Sequence, residues 1–242
     1  MKFEKTEKYD FEMLKEKIMG PNPLKLTEEL LEGNKTHEGA IVMDLGSGNG
    51  ITSVFLAKEY GYKVYAADLW SDPSDNLKFF KEMGLSRDQI VPIKADANNL
   101  PFANGFFDAI VSIDSYHYYG MNTEFLDAKL LPFVKNGGYV YIVIPGMKKD
   151  YQGNYPAELL LSWTPEQLET IKDLNFWRMI VSNSINSRVE YIGELDVNEE
   201  AWRDWLKSDN PYAVGDRAAI EAGGWKYMNF IAIILKKHMP ED

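Results

Sequence analysis

Short apolar runs recur along the chain, and segments with a helical spacing of apolar residues separate them. The runs lie at 41–43, 63–68, 90–94, 107–113, 139–144, 188–195 and 226–236. They are rich in β-branched and aromatic residues, which is typical of buried strands. Because strands that alternate with helices form a mainly parallel sheet with right-handed crossovers, the pattern predicts a doubly wound α/β fold with seven strands.

Helical spacing of apolar residues fills most of the sequence between these runs. It predicts helices at 52–60, 73–83, 123–134, 197–206 and 213–222. Segment 147–186 follows the fifth strand, carries several aromatic residues and is too long for a plain connection. Its pattern predicts short helices, and we expect them to form a helical lid above the strand ends.

Two further helices, at 9–19 and 24–31, precede the first strand and predict an N-terminal helical cap. Gly20-Pro21-Asn22-Pro23 separates them, since glycine and proline stop one helix and start the next. The cap has two interpretations. In the first, the cap only covers the hydrophobic core. In the second, the turn at 20–23 lies over the bound ligand and helps to close the binding site.

The strongest local signal is the glycine-rich turn after the first strand. Asp44 is followed by Gly46, Gly48 and Gly50, directly before a predicted helix. Glycine lets the backbone turn sharply and lets a ligand touch the main chain. The first N–H groups of the helix suit an anionic group, while Asp44 adds a negative charge. A ligand that carries both signs therefore fits this turn better than a bare polyphosphate.

An acid lies at or just beyond the end of each of the first four strands. These residues are Asp44, Asp68, Asp96 and Asp114. Ligands of parallel α/β sheets bind beyond the carboxyl ends of the strands, so we expect the four carboxylates along one edge. Asp68 stands where nucleotide-binding folds place the acid that accepts from both hydroxyls of a ribose. The alternative is an acid in solvent at a strand end.

Charge and composition narrow the partners. The 242-residue chain has a net charge of -11, and its lysines are scattered among glutamates, so we expect no nucleic acid partner. It has no cysteine, which excludes disulfides and thiolate zinc sites, and we predict no metal site. The N-terminus is charged, and the apolar runs are shorter than the roughly 20 residues of a membrane helix, so we expect a cytoplasmic protein without a membrane partner. Nothing in the sequence indicates an oligomeric state.

Two common nucleotide-binding motifs do not match the glycine turn. The dinucleotide motif GxGxxG would place Ile51 at its third glycine position, where the side chain is too bulky for a close helix approach. The Walker motif needs a lysine after the glycines, and none follows. The pattern that remains is DxGxGxG, with acids after the second and third strands.

This combination resembles the class I S-adenosylmethionine-dependent methyltransferases from about residue 37 to 146. The resemblance implies that the glycine turn meets the methionine part of the cofactor, that Asp68 binds the ribose with Leu69 against the adenine, and that Asp96-Ala97 contacts the adenine edge. The implied cofactor-binding residues are Asp44, Gly46, Ser47, Gly48, Gly50, Asp68, Leu69, Asp96, Ala97 and Asp114. The family fold is Rossmann-like with an antiparallel last strand, which suits 226–236. One departure is Asn136, which stands where the family often has proline.

The resemblance also implies S-adenosyl-L-methionine as the cofactor and in-line methyl transfer to a small-molecule acceptor. Segment 114–119 lies where the family's acceptor and sulfonium meet, which makes His117 and Tyr116 the candidate catalytic residues. His117 is the most plausible base, although a histidine here also suits a role in orienting the loop. The acidic charge and the aromatic segment after the fifth strand favour a neutral or cationic acceptor.

Two other classes of function remain open at this point. One is a non-catalytic protein that binds S-adenosylmethionine or S-adenosylhomocysteine, and the other is an NAD(P)-dependent oxidoreductase of similar topology. No repeat or linker divides the chain, so we predict one domain. Its parts are the helical cap (1–36), the cofactor-binding half (37–146), the helical lid (147–186) and the C-terminal strands and helices (187–242).

Overall fold

A single seven-stranded sheet forms the centre of the computed structural model, which describes residues 2–238. The strands are β1 (Ile41–Leu45), β2 (Lys63–Asp68), β3 (Ile90–Lys94), β4 (Phe107–Ile113), β5 (Val134–Met147), β6 (Ser187–Glu194) and β7 (Met228–Lys237). Their order in the sheet is β3-β2-β1-β4-β5-β7-β6. Strands β1 to β5 pair in parallel, and β7 runs antiparallel to both of its neighbours. The doubly wound, Rossmann-like fold with an antiparallel last strand is thus confirmed.

Helices cover both faces of this sheet. They are α1 (Phe11–Lys17), α2 (Pro23–Leu30), α3 (Ile51–Glu59), α4 (Pro73–Glu82), α5 (Pro165–Leu168), α6 (Leu174–Ser182), α7 (Asn198–Trp205) and α8 (Pro211–Glu221). Side chains cap several of their first turns: Asn22 accepts from Leu24 N, and Asp72 accepts from Ser74 N. Among residues 2–238, no helix has the length and apolar character needed to cross a membrane.

The helix predicted at 123–134 is wrong. A π-helical turn at Leu126–Leu130 and a 3-10 turn at Leu131–Phe133 replace it, and β5 begins at Val134. Pro132 has no backbone N–H and its ring obstructs the preceding turn, so a regular α-helix does not continue there. Gly137 keeps the predicted turn, with a φ of 77°, and it lies inside the long strand β5.

The segment predicted as a lid does not lie as one unit above the strand ends. Its second half is α6, whose Trp177 is fully buried in a hydrophobic cluster with Ile142 of β5 and Ile233 of β7. Because α6 packs on a face of the sheet, the lid prediction for the whole of 147–186 is corrected. The shorter α5 has the expected capping sequence, with Thr164 and Gln167 forming a reciprocal capping box.

The N-terminal cap is joined to the C-terminal helices. Asn22 donates its backbone N–H to the carbonyl of Ala201 and its side-chain amide to Asp204, at 3.1 and 2.9 Å. The hydroxyl of Ser208 donates to the carbonyl of Lys15 at 2.8 Å. These bonds fix the turn between α1 and α2 relative to α7, and this turn lies close to the carboxyl edge of the sheet.

Candidate functional site

The glycine turn has the backbone that its sequence predicts. Gly46, Gly48 and Gly50 have φ angles of 80°, 52° and 80°, in the left-handed region that side chains disfavour. Two of them are also closely packed. A Cβ atom at Gly46 would overlap the hydroxyl of Ser115, and one at Gly50 would lie 2.5 Å from the ring of Phe80. Both the backbone angle and the packing therefore require glycine at these positions.

Asp68 at the end of β2 is bonded directly to this turn. Its Oδ2 accepts from the backbone N–H of Gly48 at 2.9 Å, and its Oδ1 accepts from Trp70 and Ser71 at 2.8 Å. A carboxylate oxygen has about two lone-pair directions, so Oδ1 is taken by the backbone and Oδ2 retains one direction for a ligand hydroxyl. The turn and the acid thus form one preorganised unit.

Two asparagines that the sequence did not single out hold the turn from either side. Asn76 of α4 donates to the carbonyl of Gly48 at 3.0 Å. Asn49 donates to the carbonyl of Lys17 at 3.1 Å, and the side chain of Met19 lies beside Gly48. Neither asparagine belongs to a recognisable motif, since each acts through a long-range contact. The bond from Asn49 holds the end of α1 beside the glycine turn.

Asp44 lies beneath the turn, with only 1% of its surface exposed. Ser53 of α3 donates its hydroxyl to Asp44 Oδ2 at 2.5 Å. Burial raises the pKa of Asp44 to about 7, with the hydrogen bond opposing this shift and the negative charge of Asp68 adding to it. Asp44 thus fixes the first turn of α3 through Ser53. With a pKa of about 7, its carboxyl group is partly protonated at neutral pH.

The remaining predicted cofactor contacts line the ends of β2 and β3. Leu69 is 42% exposed directly after β2, and Ala97 is buried just beyond β3. Asp96 is exposed and accepts from the backbone and side chain of Asn98, which lower its pKa. Because β2 and β3 pair in parallel with Asp68 opposite Lys94, these residues lie along one edge.

Asp114 lies elsewhere on that edge, facing the cap and α8. Its φ is 55°, a left-handed angle that is uncommon for any residue except glycine. Its carboxylate lies against Gly20, where a Cβ atom would overlap Asp114 Oδ2. Burial raises the pKa of Asp114 to about 7, and the charge of Asp216 on α8 adds to the shift. No motif indicates a role for Asp216, because it is far from Asp114 along the chain.

The two candidate catalytic residues are both buried. Tyr116 is fully enclosed, with its ring against Tyr119, Phe125 and Trp177, and its hydroxyl has no hydrogen-bond partner within residues 2–238. His117 is 2% exposed, and its Nδ1 has no partner among the described residues. Burial lowers the pKa of His117 to about 4, so its imidazole is neutral at physiological pH.

The site has features that suit a ligand with both charges. Ser47 in the turn is 6% exposed, and its buried hydroxyl has no partner within residues 2–238. A Cβ atom at Gly48 would come no closer than 3.5 Å to any neighbour, so the turn leaves room beside its backbone. Carboxylates lie below and beside the same turn. The described residues therefore fit an amino acid end and a ribose.

The comparison with protein families decides the class. Residues 43–142 match the family model described as a methyltransferase domain. Over these residues the chain carries a methyltransferase domain, of the S-adenosylmethionine-dependent type that the sequence predicted. S-adenosylmethionine is the cofactor of this methyltransferase, and the matched residues span β1 to most of β5.

Solved structures share the fold of the methyltransferase over most of its length. The [4+2]-cyclase SpnF is 14% identical with a TM-score of 0.69, covering 89% of this chain and 80% of its own. A geranyl diphosphate C-methyltransferase from Streptomyces coelicolor A3(2) is 15% identical with a TM-score of 0.66, covering 88% and 76%. Phosphoethanolamine N-methyltransferase 2 from Haemonchus contortus is 18% identical with a TM-score of 0.66, covering 92% and 54%.

These structures show the fold alone, because their identity to the methyltransferase is low. A search of curated proteins finds no match. Neither of the other classes considered from the sequence, a non-catalytic binding protein and an NAD(P)-dependent oxidoreductase, receives support from the comparisons. The methyltransferase domain model therefore carries the functional conclusion, and the acceptor has to be inferred from the site.

Proposed function

We propose that this methyltransferase transfers the methyl group of S-adenosylmethionine to a small-molecule acceptor. The observation that carries the proposal is the direct bond between Gly48 and Asp68, which joins the glycine turn to the second-strand acid in one cofactor site. The two small-molecule methyltransferases of similar fold, which act on geranyl diphosphate and phosphoethanolamine, support a small acceptor.

The cofactor is held, in this proposal, along the carboxyl edge of β1, β2 and β3. The turn around Ser47 and Gly48 receives the methionine end, Asp68 accepts from the ribose, and Leu69 lies against the adenine. Asp96 and Ala97 contact the adenine edge. Asp44 acts from below, by holding α3 and by adding negative charge beneath the turn.

When bound, the cofactor supplies a methyl group on a sulfonium, which a nucleophile displaces in line. Such a reaction depends mostly on alignment and on exclusion of water, so few catalytic side chains are needed. In this proposal the segment from Lys17 to Gly20 helps to align the reactants and to exclude water, because it lies beside the glycine turn and against Asp114. The cap thus takes part in closing the site.

The acceptor is, we propose, neutral or cationic, and Asp114 and Asp216 favour this charge. Asp216 accepts from the indole Nε1 of Trp205 at 2.8 Å. The phenol of Tyr118, 72% exposed, lies within the electrostatic influence of both carboxylates. Aromatic rings beside carboxylates are the groups that bind organic cations.

These two carboxylates have no ion-pair partner in the described part of the chain. Within residues 2–238, none of the ion pairs includes Asp114 or Asp216. Arg217 follows Asp216 directly, but its guanidinium donates to the carbonyls of Leu206 and Ser208. Burial raises the pKa of both carboxyl groups, and a bound cation favours their ionised form, so their negative charge is available to a cationic ligand.

His117 remains the candidate general base, and Tyr116 a second candidate. A neutral imidazole accepts a proton from an acceptor that loses one, but the low pKa of His117 makes it a weak base. Replacement of His117 by Asn tests the role: a general base contributes roughly 100-fold to 10,000-fold in rate. Unchanged turnover in that variant with the identified acceptor assigns His117 to orientation of the loop instead.

Two measurements test the proposal as a whole. Titration calorimetry with S-adenosylhomocysteine is expected to show binding in the micromolar range, and no binding would refute the cofactor site. Incubation of the protein with methyl-labelled S-adenosylmethionine and a cell extract then follows the label. We expect it in the small-molecule fraction, whereas label in protein or RNA would overturn the acceptor class. Cell fractionation tests the cytoplasmic location, which is part of the same proposal.

A further inference from the structure

Three hydroxyl groups form a cluster in the crevice between β1 and β4. The side-chain oxygens of Ser112 and Ser115 lie 3.0 and 2.9 Å from the carbonyl oxygen of Leu45 and 2.8 Å from each other. The hydroxyl of Tyr119 lies 3.0 Å from both serine oxygens. Ser115 also packs against Gly46 of the glycine turn.

The position of this cluster is that of a ligand site in doubly wound sheets. In the sheet, β2 and β3 lie on one side of β1, and β4 and β5 lie on its other side. The direction in which the chain adds strands therefore reverses between β1 and β4. Ligands bind in the crevice beyond the strand ends at such a switch point. The cluster therefore lies beside the methionine end of the proposed cofactor site.

The cluster has more oxygen contacts than protons. Each hydroxyl has a single proton to donate, and the Leu45 carbonyl has none. The four oxygens nevertheless make five mutual contacts of 3.0 Å or less. Three hydroxyl protons make three single hydrogen bonds, so in the other two contacts an oxygen lone pair faces another lone pair. A bound molecule that donates a hydrogen bond to the cluster would supply a missing proton.

The surrounding charge favours a cationic donor. Burial raises the pKa of Tyr119 to about 12, and the negative charges of Asp44 and Asp68 add to the shift. The phenol is therefore neutral at physiological pH and keeps an oxygen that accepts hydrogen bonds. Because the carboxylates of Asp44 and Asp68 lie near the Tyr119 oxygen, we expect this oxygen to prefer a positively charged N–H donor over a neutral one.

We propose that Tyr119, supported by Ser112 and Ser115, is a positioning residue that accepts a hydrogen bond from the ammonium group of the cofactor's methionine end. The inference rests on the proposed function, because it assumes that the cofactor occupies this edge. It assigns the three hydroxyls a role in fixing the amino acid end, which in turn sets the direction of the sulfonium and its methyl group.

Calorimetry with three probes on Tyr119→Phe tests the inference. The variant keeps the ring that packs on Tyr116 and Phe125 and removes only the hydroxyl. The probes are S-adenosylhomocysteine, 5′-(3-aminopropylthio)-5′-deoxyadenosine, which keeps the ammonium without the carboxylate, and 5′-methylthioadenosine, which has neither. We expect affinity to fall about tenfold for the first two probes and less than about twofold for the third.

Two further variants complete the experiment. Ser112→Ala is expected to show the same dependence on the ammonium with a smaller loss, and Tyr191→Phe on the exposed face of β6 should bind all three probes like the wild type. Equal losses for all three probes, or no loss for S-adenosylhomocysteine, would overturn the role of Tyr119 and leave the proposed function standing. A wild type that binds none of the probes would instead overturn the cofactor site itself.

Discussion

The backbone N–H of Gly48 donates to Oδ2 of Asp68 at 2.9 Å. This bond joins the turn after β1 to the end of β2, so the groups proposed to bind the methionine end and the ribose are held together before any ligand arrives. Preorganisation of this kind lowers the entropic cost of binding. Asp68 thus supports the turn, in addition to the binding role that we propose for it.

Replacement of Asp68 by Ala is therefore expected to weaken S-adenosylhomocysteine binding about 100-fold or more. The variant loses the one charge-assisted hydrogen bond to the ligand, worth roughly 1.5–3 kcal/mol, and also the acceptor for the N–H of Gly48, which holds the turn in place. Calorimetry measures the effect. Asp88→Ala, an exposed acid distant from the turn in sequence, is the control, and an Asp68 variant that binds within twofold of it would contradict the ribose assignment.

Two glycine-to-alanine substitutions are expected to change stability in opposite directions. Gly50→Ala should destabilise the protein by about 2–4 kcal/mol, because a left-handed φ of 80° and the ring of Phe80 both oppose a Cβ atom. Gly215→Ala, inside α8 with open space around it, should stabilise by roughly 0.5–1 kcal/mol. Urea unfolding of both variants checks this, and equal effects would contradict the packing described at Gly50.

Asp44→Asn is expected to change how stability depends on pH. The folded pKa of Asp44 is raised from 3.8 to about 7, so between these values the folded state binds more protons than the unfolded state. Wild-type stability then falls as pH rises through this window, by about 4 kcal/mol at most from this group. Asparagine does not titrate, so the free energy of unfolding of the variant does not fall for this reason as pH rises.

Urea unfolding of the wild type and Asp44→Asn at pH 5 and pH 8 measures the difference. The variant should gain stability relative to the wild type on going from pH 5 to pH 8. Other titrating groups, Asp114 among them, are common to both proteins and largely cancel in the comparison. A difference between the two proteins that is the same at both pH values would show that Asp44 has an ordinary pKa.

His117→Asn should show the opposite pH behaviour. Burial lowers the folded pKa of His117 from 6.5 to about 4, so the unfolded state binds more protons between these values. The contribution of the neutral imidazole is complete above pH 6.5 and is lost as pH falls toward 4, by about 3 kcal/mol. Thermal unfolding between pH 4.5 and 7.5 should therefore show a shallower decline at low pH in the variant.

The sequence determined the parts of this protein that depend on local pattern. Alternation of apolar runs with helical segments specified the seven strands, and the glycines at 46, 48 and 50 specified the turn, because side-chain periodicity and backbone angles are local properties. The acids at or just beyond the ends of β1 to β4 were predicted along one edge by the same reasoning, since parallel strands end on the same side of a sheet.

Only the tertiary structure decided which distant side chains meet. The effect of the Asp216 charge on Asp114, the bond from Asn49 to Lys17 and the hydroxyl cluster around Leu45 each involve segments far apart in the chain. Periodicity shows which face of an element is buried but not which partner covers it. For that reason the sequence predicted a place for the methyl donor, whereas the surroundings proposed for the acceptor and the role proposed for the Tyr119 hydroxyl required the packed structure.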